Sequence, residues 1–576
     1  MVAYVWDQLS CEPSSVTALA QALDLDPVVA RLLCLRGLGD PEEARRFLDP
    51  SLAHLHDPFL LTDMAAAVER TLGAVARREP IVVHGDYDVD GITSTVILRR
   101  TLELLGAEVT HFIPERLRDG YGLQPETIER LHAEGARLVI SVDCGIRGID
   151  AGRRARELGV DLIVTDHHEP GAALPDAVAV INPKRHDCRY PDKHLAGVGV
   201  ALKLVQGLCA RSGRDRWLPA FVKMAAIGTL ADVVPLQGEN RVIAKLGLDL
   251  LSRGPNKVGL RALLEVAGLA GRTLESSHVA FAIAPRVNAA GRMGTPDIAA
   301  RLLLAADETR ADEARGLALQ LDAENARRQQ EESAIVAAAR RVVETDLDVG
   351  SRSILVVAGE GWHRGVIGIV ASKLVDAFHR PAIVLSVEDG VAHGSCRSIA
   401  GFDMLAGLER CAPLFERFGG HKQAAGLTMM ADRIKDFRQA INAHADTLLG
   451  PDDLRPRLRI DAGVRFRGLN GDFAHQIARL APFGAGNPRP VFSAAEVEIV
   501  DGPRALKDRH LKMALRQDGR TFRAVAWRAI ERQAFLHEHR AALDLAFSLE
   551  QNTFNGETYL ELTVADARPP ASRGGT

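Results

Sequence analysis

Five short runs between residues 80 and 185 constrain the fold of this chain more than any other feature. They are "PIVVHGD" (80–86), "EVTHFIPER" (108–116), "RLVISVDCG" (137–145), "DLIVTDHH" (161–168) and "AVAVINPKR" (177–185). All are rich in β-branched residues and almost continuously apolar. A strand with one wet face alternates apolar and polar residues, whereas a strand covered on both faces does not. The segments between them, such as "GITSTVILRRTLELLG" (91–106) and "IDAGRRARELG" (149–159), carry helical spacing and end on glycine. Doubly covered strands alternating with helices predict a parallel α/β sheet.

Chemistry-bearing residues gather at the carboxyl ends of these runs. Asp86, Asp88 and Asp90 follow the first run with His84 just ahead of them; Asp143 ends the third; Asp166, His167 and His168 end the fourth. Ligands of open α/β sheets bind in the crevice outside these strand ends. Carboxylates this close repel one another and resist desolvation unless neutralised, a conflict that a divalent cation with oxygen ligands resolves. The string D-x-D-x-D-G also opens like a calcium loop, but the twelfth position from Asp86 is Ile97, where such a loop needs Glu. A solvated acidic turn is the alternative for the string in isolation. Convergence of three strand ends on one crevice favours metal.

Beyond this lobe, residues 297–345 read as one long polar helix with a solvated charged face, a connector. A second α/β unit follows at 353–450, with "SILVVAG", "VIGIVASKLVDAF" and "PAIVLSVED". Short alternating strands such as "AEVEIVDG", "HLKMALRQDG", "TFRAVAW" and "TYLELTVADA" within 455–566 predict a small β-barrel or sandwich. Residues 1–40 read as short helices that cap the first lobe. The net charge of −4 shows no global preference for polyanions, but residues 451–576 hold 19 Lys+Arg against 16 Asp+Glu. A weakly basic module is compatible with a polyanionic partner. Seven scattered cysteines without a C-x-x-C argue against a disulfide framework or zinc ribbon and fit a reducing compartment. With neither a leader-like N-terminus nor an apolar run of bilayer length, a cytoplasmic protein without a membrane partner is expected.

Four segments in order, "HGDYDVDG" (84–91), "SVDCGI" (141–146), "VTDHHEP" (164–170) and "IGTLADVVPL" (227–236), resemble the DHH phosphoesterase superfamily. "GWHRGVIGIVASKL" (361–374), "GSCRS" (394–398) and "FGGHKQAAG" (418–426) look like its DHH-associated domain. "PRVNAAGRMG" (285–294) and "LAPFGAGNPRPVF" (480–492) resemble the RecJ branch, the single-strand-specific 5′→3′ DNA exonucleases. The expected division is an N-terminal helical cap (1–75), a DHH catalytic domain (76–296), the connector (297–345), a DHH-associated substrate-binding domain (346–450) and a C-terminal OB-fold (451–576).

The resemblance implies two metal ions, manganese with magnesium as substitute, held by His84, Asp88, Asp90, a bridging Asp143, His167 and Asp232. It places Asp86, Asp166 and His168 behind the ligands or against the scissile phosphate; structural hydrogen bonding is the alternative. Ser395, Arg397 and Ser398 offer charge-assisted contacts to phosphate, and Gly419, Gly420 and His421 offer backbone amides beside an imidazole. Trp362 and His363 either stack a base or pack in a core. Arg286, Asn288 and Arg292 stand in an apolar neighbourhood, and Lys507, Arg509, His510 and Lys512 of the barrel are phosphate contacts or solvated turn residues. Cys144 reads as a small buried residue, not a nucleophile. The implied activity is release of mononucleotides from the 5′ end of single-stranded DNA in recombination and repair, by a monomer that works beside a single-strand-binding protein and a helicase. A small-substrate DHH phosphoesterase, acting on pyrophosphate, cyclic dinucleotides or short oligonucleotides, is the first alternative, and an inactive DHH scaffold the second.

Overall fold

The computed structural model describes residues 4–115, 118–120, 122–293, 296–346, 352–554 and 557–570. It forms two compact units, a larger one joining residues 6–288 to the C-terminal segment from 459, and a smaller one built on 319–458.

Five strands of the larger unit form the parallel sheet: β1 (Ile81–Gly85), β2 (Val109–Phe112), β3 (Leu138–Val142), β4 (Asp161–Thr165) and β5 (Ala179–Ile181), in the order β2-β1-β3-β4-β5. Strand order reverses between β1 and β3, and at such a switch point the helices leave to opposite faces and open a crevice. Gly85, Val142 and Thr165 pair in register, so the residues after each of them reach that crevice together. One face packs against α1 (Val89–Leu104), α4 (Gly197–Ser212) and α5 (Leu218–Ala231), through Ile97, Leu98, Val198, Leu202 and Ala225. The other is covered by α2 (Pro125–Ala133) and α3 (Ile149–Leu158), through Ile128, Leu131, Ala151 and Ala155. Buried on both sides, the strands have no need of alternation. A sixth helix, α6 (Gly238–Arg253), follows α5.

The C-terminal strands β11 (Phe492–Leu506), β12 (His510–Gln517), β13 (Arg520–Ala526), β14 (Leu543–Phe554) and β15 (Glu557–Arg568) close into a barrel, β11-β12-β13-β15-β14, with β14 returning to β11. A barrel, not a sandwich, is the outcome, and the short helix Gln533–Glu538 lies between β13 and β14. The N-terminal helices Pro13–Leu23, Pro27–Cys34 and Pro41–Leu48 do not cap the parallel sheet. Their apolar stripes, including Leu19, Val29, Leu32, Leu33 and Phe47, share one core with Phe466, Phe473, Phe492 and Phe547 of the barrel module.

Residues 297–345 are not one helix. Asp297–Leu304 ends where Ala305 turns extended, its carbonyl accepting from the Gly259 amide at 3.0 Å, and Asp307 caps a new start through Thr309 before the helix Ala311–Asp346. Nor is its charged face all solvated. In the smaller unit Asn325, Arg328 and Glu332 are buried, with Glu332 paired to Arg328 and Lys373. The i, i+3, i+7 spacing that reads as a wet stripe is equally a buried one once a polar neighbour faces it.

The smaller unit holds a second sheet, β6 (Leu355–Glu360), β7 (Ala382–Glu388), β8 (Val391–Arg397), β9 (Arg417–Gly420) and β10 (Ala424–Met430), ordered β9-β10-β8-β7-β6. Helix α7 (Ile367–Phe378) packs on one face with Leu355, Val357 and Val384, and the opposite face is closed by Phe402, Phe437 and Ile441.

Candidate metal centre

The chain leaves β1 through Asp86 and enters α1 with Asp88 as its N-cap, the carboxylate accepting from the Gly91 amide at 3.1 Å. Asp90 sits in the first turn of α1, 1% exposed, and points at the N-terminus of α4. There Oδ2 accepts from the Gly197 amide (2.7 Å) and Oδ1 from the Val198 amide (2.8 Å). Unpaired amides at a helix start favour an anion, so the contact orients Asp90 as well as stabilising its charge. Asp143, 2% exposed and in the left-handed region at φ 61°, follows β3. Only glycine fits at 197 opposite it, since a Cβ there would lie 2.3 Å from Asp143 Oδ1. Asp232 ends α5, and Val233 beyond it takes φ 61°, an unusual conformation for a β-branched residue.

These elements bring the predicted ligands together. Ligand atoms of Asp86, Asp88 and Asp143, of Asp143, His167 and His168, and of Asp90, His167 and Asp232 form three groups, each within 4.8 Å. Asp143 and His167 link the groups into a chain. His167 Nε2 lies 3.2 Å from Asp143 Oδ1, 3.7 Å from Asp232 Oδ2 and 3.9 Å from Asp90 Oδ2. Although the first distance is short, neither atom is aligned for a hydrogen bond, and both are buried without a hydrogen-bond partner. His84 belongs to none of the three groups, but its Nε2 is likewise buried and unpartnered, while Nδ1 lies 3.5 Å from Cys144 Sγ.

Burial, then the charges of Asp232 and Asp88, hold the Asp90 carboxyl well above its ordinary range; burial and the charges of Asp90, Asp88 and Asp86 do the same to Asp143. Asp232 is pushed up to about 7 by burial and by Asp88. Burial lowers His84 to about 4 and His167 to about 3, so both are neutral imidazoles at physiological pH. The opposite holds behind the cluster. Burial would raise Asp166, but the His168 Nδ1–H (2.7 Å) and the amides of Ile146, His167 and His168 keep it low. His168 is in turn raised, its burial outweighed by Asp166. Cys144 is buried with its thiol pushed far up by burial and by Asp86, Asp166 and Asp88, which removes it as a nucleophile.

Three orphaned buried ligand atoms among crowded carboxylates and neutral imidazoles fit divalent cations. Mixed carboxylate and imidazole ligation suits Mn²⁺, and Mg²⁺ tolerates the same oxygen-rich set.

Comparison with known proteins agrees. Models of the DHH family N-terminal domain, the DHHA1 domain and the RecJ OB domain match residues 80–229, 351–446 and 460–566. The chain is 38% identical over 567 residues to the single-stranded-DNA-specific exonuclease RecJ of Bacillus subtilis, covering 98% of this chain and 70% of that one. It belongs to the RecJ family. The crystal structure of RecJ in complex with Mn²⁺ from Thermus thermophilus is similar with a TM-score of 0.84 at 34% identity, over 98% of this chain and 80% of that one. The corresponding Mg²⁺ complex gives 0.78 at 32% identity, over 98% and 79%.

In this RecJ-family chain the remaining predicted residues separate. Asn288 Oδ1 accepts from the Val89 amide (3.1 Å), which ties it to the start of α1 and the acidic loop. Arg286 donates to the Ala282 and Val266 carbonyls. In the smaller unit Arg292 donates to the Gly365 carbonyl at 2.9 Å. Trp362 is half-buried against the α7 face of the sheet, and His363 Nδ1 accepts from the Gly365 amide. Ser395 and Arg397 face the first turn of α7, where a Cβ on Gly368 would lie 2.9 Å from Ser395 Oγ and 3.3 Å from Arg397 Nη2. Ser398 instead donates to the Phe402 carbonyl. Gly419, Gly420 and His421 are exposed at the end of β9, and Gly419, Gly426 and Ser395 pair in a row across three strands.

On the barrel, Lys507 and Asp508 form a left-handed turn between β11 and β12, with Lys507, Arg509 and Lys512 exposed. Sequence reading missed their aromatic neighbour. Trp527, 56% exposed, sits 4.8 Å from the His510 ring just past β13. Residues 510, 512 and 514 of β12 and 523, 525 and 527 on and after β13 share the outward face by alternation, and Arg523 lies 5.0 Å from the Tyr559 ring on β15. His393, Thr428 and Arg417, linked across β8, β10 and β9 on the Ser395 face, were missed as well. The period of two along each strand was the available signal.

Proposed function

We propose that this protein is a two-metal exonuclease that hydrolyses single-stranded DNA from the 5′ end to mononucleotides, in DNA recombination and repair. The observation that carries the reading is the linked set of buried ligand groups, with Asp143 and His167 each common to two of them. Two bound divalent cations supply charge for the phosphoryl oxygens and acidify an attacking water. The chain supplies the rest. Asp88, Asp90, Asp143, Asp232 and the imidazoles of His84 and His167 would hold the ions, Asp143 being common to two of the ligand groups. Asp166, kept ionised, fixes the ring of His168 and favours its cationic form, so that His168 is placed to donate a hydrogen bond to a phosphate oxygen beside the cluster. Ser395 and Arg397, close against Gly368 in the first turn of α7, offer a hydroxyl and a guanidinium to a phosphate. The outward barrel face, with Trp527, His510, Lys512 and Arg523, has the alternation of aromatic and basic groups that tracks single strands.

A long single strand labelled at either end, incubated with Mn²⁺, tests this reading. Immediate release of the 5′ label as a mononucleotide, absent in Asp143→Ala and slow on blunt duplex, is the expected result. Release of the 3′ label first would overturn the polarity. Hydrolysis confined to pyrophosphate or dinucleotides would make the protein a small-substrate phosphoesterase.

A further inference from the structure

Three consecutive polar residues in the first turn of α6 take no part in the reaction as proposed, yet they are among the most buried polar groups of the larger unit. Glu239, Asn240 and Arg241 are 1%, 0% and 1% exposed. Each is tied to a different segment. Glu239 accepts from Tyr190 Oη and the His56 amide and pairs with Lys203. Among the described residues the guanidinium of Arg241 has no carboxylate partner. It donates instead to the carbonyls of Phe47 (2.6 Å), Leu480 (3.0 Å), Arg479 (3.2 Å) and Ala481 (3.1 Å). Three of these carbonyls end the helix Gly471–Arg479, where the backbone dipole favours a cation, and all three lead into the barrel.

Asn240 lies between the two and reaches the metal centre from behind. Its Nδ2 donates to the carbonyls of His194 (2.5 Å) and Pro235 (3.2 Å), and its Oδ1 accepts from the Ala196 amide (3.3 Å). Ala196 immediately precedes Gly197 and Val198, whose amides hold Asp90, while Pro235 lies three residues after Asp232. One buried amide thus spans the two loops that position Asp90 and Asp232. The barrel module closes the same loop from the other side. The Leu236 amide donates to Ala485 (2.8 Å), Gln237 Nε2 donates to Gly486, and a Cβ on Gly486 (φ 69°) would meet Pro235 Cβ at 2.9 Å. The turn Leu480–Asn487 is therefore shaped to rest on the Asp232 loop, with Asn487 Nδ2 holding its own turn through Leu480 and Pro482.

We propose that Gln237–Arg241 is a positioning hub: Asn240 sets the separation of Asp90 and Asp232, and Arg241 with the Leu480–Asn487 turn makes seating of the barrel module part of the same support. The ion shared by Asp90, His167 and Asp232 is then bound tightly only while the barrel module is docked. This rests on the reading of Asp90 and Asp232 as metal ligands.

The test uses the full-length protein stripped with EDTA. Free Mn²⁺ is followed by electron paramagnetic resonance during titration, with single-strand affinity measured in EDTA in parallel. Asn240→Ala weakens Mn²⁺ binding by about 10–100-fold, the usual effect of removing a group that orients ligands. It lowers kcat, which recovers in excess Mn²⁺, and leaves KM for DNA and the metal-free DNA affinity unchanged. Wild-type Mn²⁺ affinity with reduced thermal stability alone overturns the proposal. Should Asn240→Ala fail to fold, Gly486→Ala decides from the barrel side: weakened Mn²⁺ binding supports the coupling, and wild-type binding ends it. Asp232→Ala separates the two readings, since a full complement of tightly bound Mn²⁺ in that variant removes the ligand assignment itself.

Discussion

The metal crevice and the outward face of the barrel both meet phosphate in the proposed reaction, yet they are built oppositely. In the crevice Asp90, Asp143 and Asp166 are at most 2% exposed, and backbone amides hold Asp90 and Asp166 in place. On the barrel Trp527 is 56% exposed, and Lys507, Lys512 and Arg523 lie in solvent. Buried like charges store free energy that only a cation releases, which gives a site that is rigid and selective. Exposed charges cost little, adapt to a moving strand and are screened by salt. Chemistry is concentrated where desolvation is strongest, and grip is spread where it is weakest.

The largest expected effect is on the crevice. Asp143→Asn abolishes Mn²⁺ binding at the shared position and lowers kcat by roughly 10³-fold or more, since several kcal/mol of charge stabilisation is lost. In EDTA the same variant melts higher than the wild type, because one of the repelling carboxylates is gone. A lower melting temperature in EDTA would contradict the account of crowding. A much smaller effect belongs to the barrel. Trp527→Ala weakens binding of long single strands by roughly 5–30-fold, the worth of one stacked base, with kcat at saturating DNA and Mn²⁺ affinity unchanged. Anisotropy titrations check it, and a fall in kcat instead would show that the two regions are not separable.

The smallest effect is on pH. Asp232, raised to about 7, and His168, also raised, contribute stability that is present at low pH and lost as pH rises through their folded values. His84 and His167, lowered to about 4 and about 3, lose their contribution only as pH falls below the ordinary histidine range. Asp90 and Asp143, held well above the ordinary carboxyl range, act in the same direction as the first pair, so between about pH 6.5 and 8 the metal-free protein loses stability, roughly 1 kcal/mol of it from Asp232. Mn²⁺ affinity rises over the same interval as Asp232 gives up its proton. Thermal melts with EDTA and with Mn²⁺ across this range read both trends, and a metal-free protein that gains stability toward the alkaline end would refute the assignment.

The parts of the site legible from sequence were those in which local pattern and chemistry coincide. His84, Asp88, Asp90, Asp143 and His167 each stand at or just past the end of a doubly buried strand, and Asp232 ends a helix within a recognisable motif. Asn240 and Arg241 were not legible, because a polar pair on an amphipathic helix reads as its wet face until a neighbour covers it. The break at Ala305 was hidden for a similar reason: the capping Asp307 reads as one more charge on a wet face, and the chain turns where Ala305 meets Gly259. Trp527 escaped because its partner His510 lies across a strand pair.

The sequence by itself determined the parallel sheet, the strand ends that carry the candidate ligands, the second α/β unit and a small all-β module, since hydrophobic periodicity and residue chemistry are local. Tertiary structure alone decided what lies against what. It seats Asp90 on amides 107 and 108 residues away, packs the N-terminal helices on the barrel and lays the Leu480–Asn487 turn over the Asp232 loop. The physical reason is that burial and pairing of a polar group depend on surfaces brought together by folding, and no short stretch of chain encodes its distant partner.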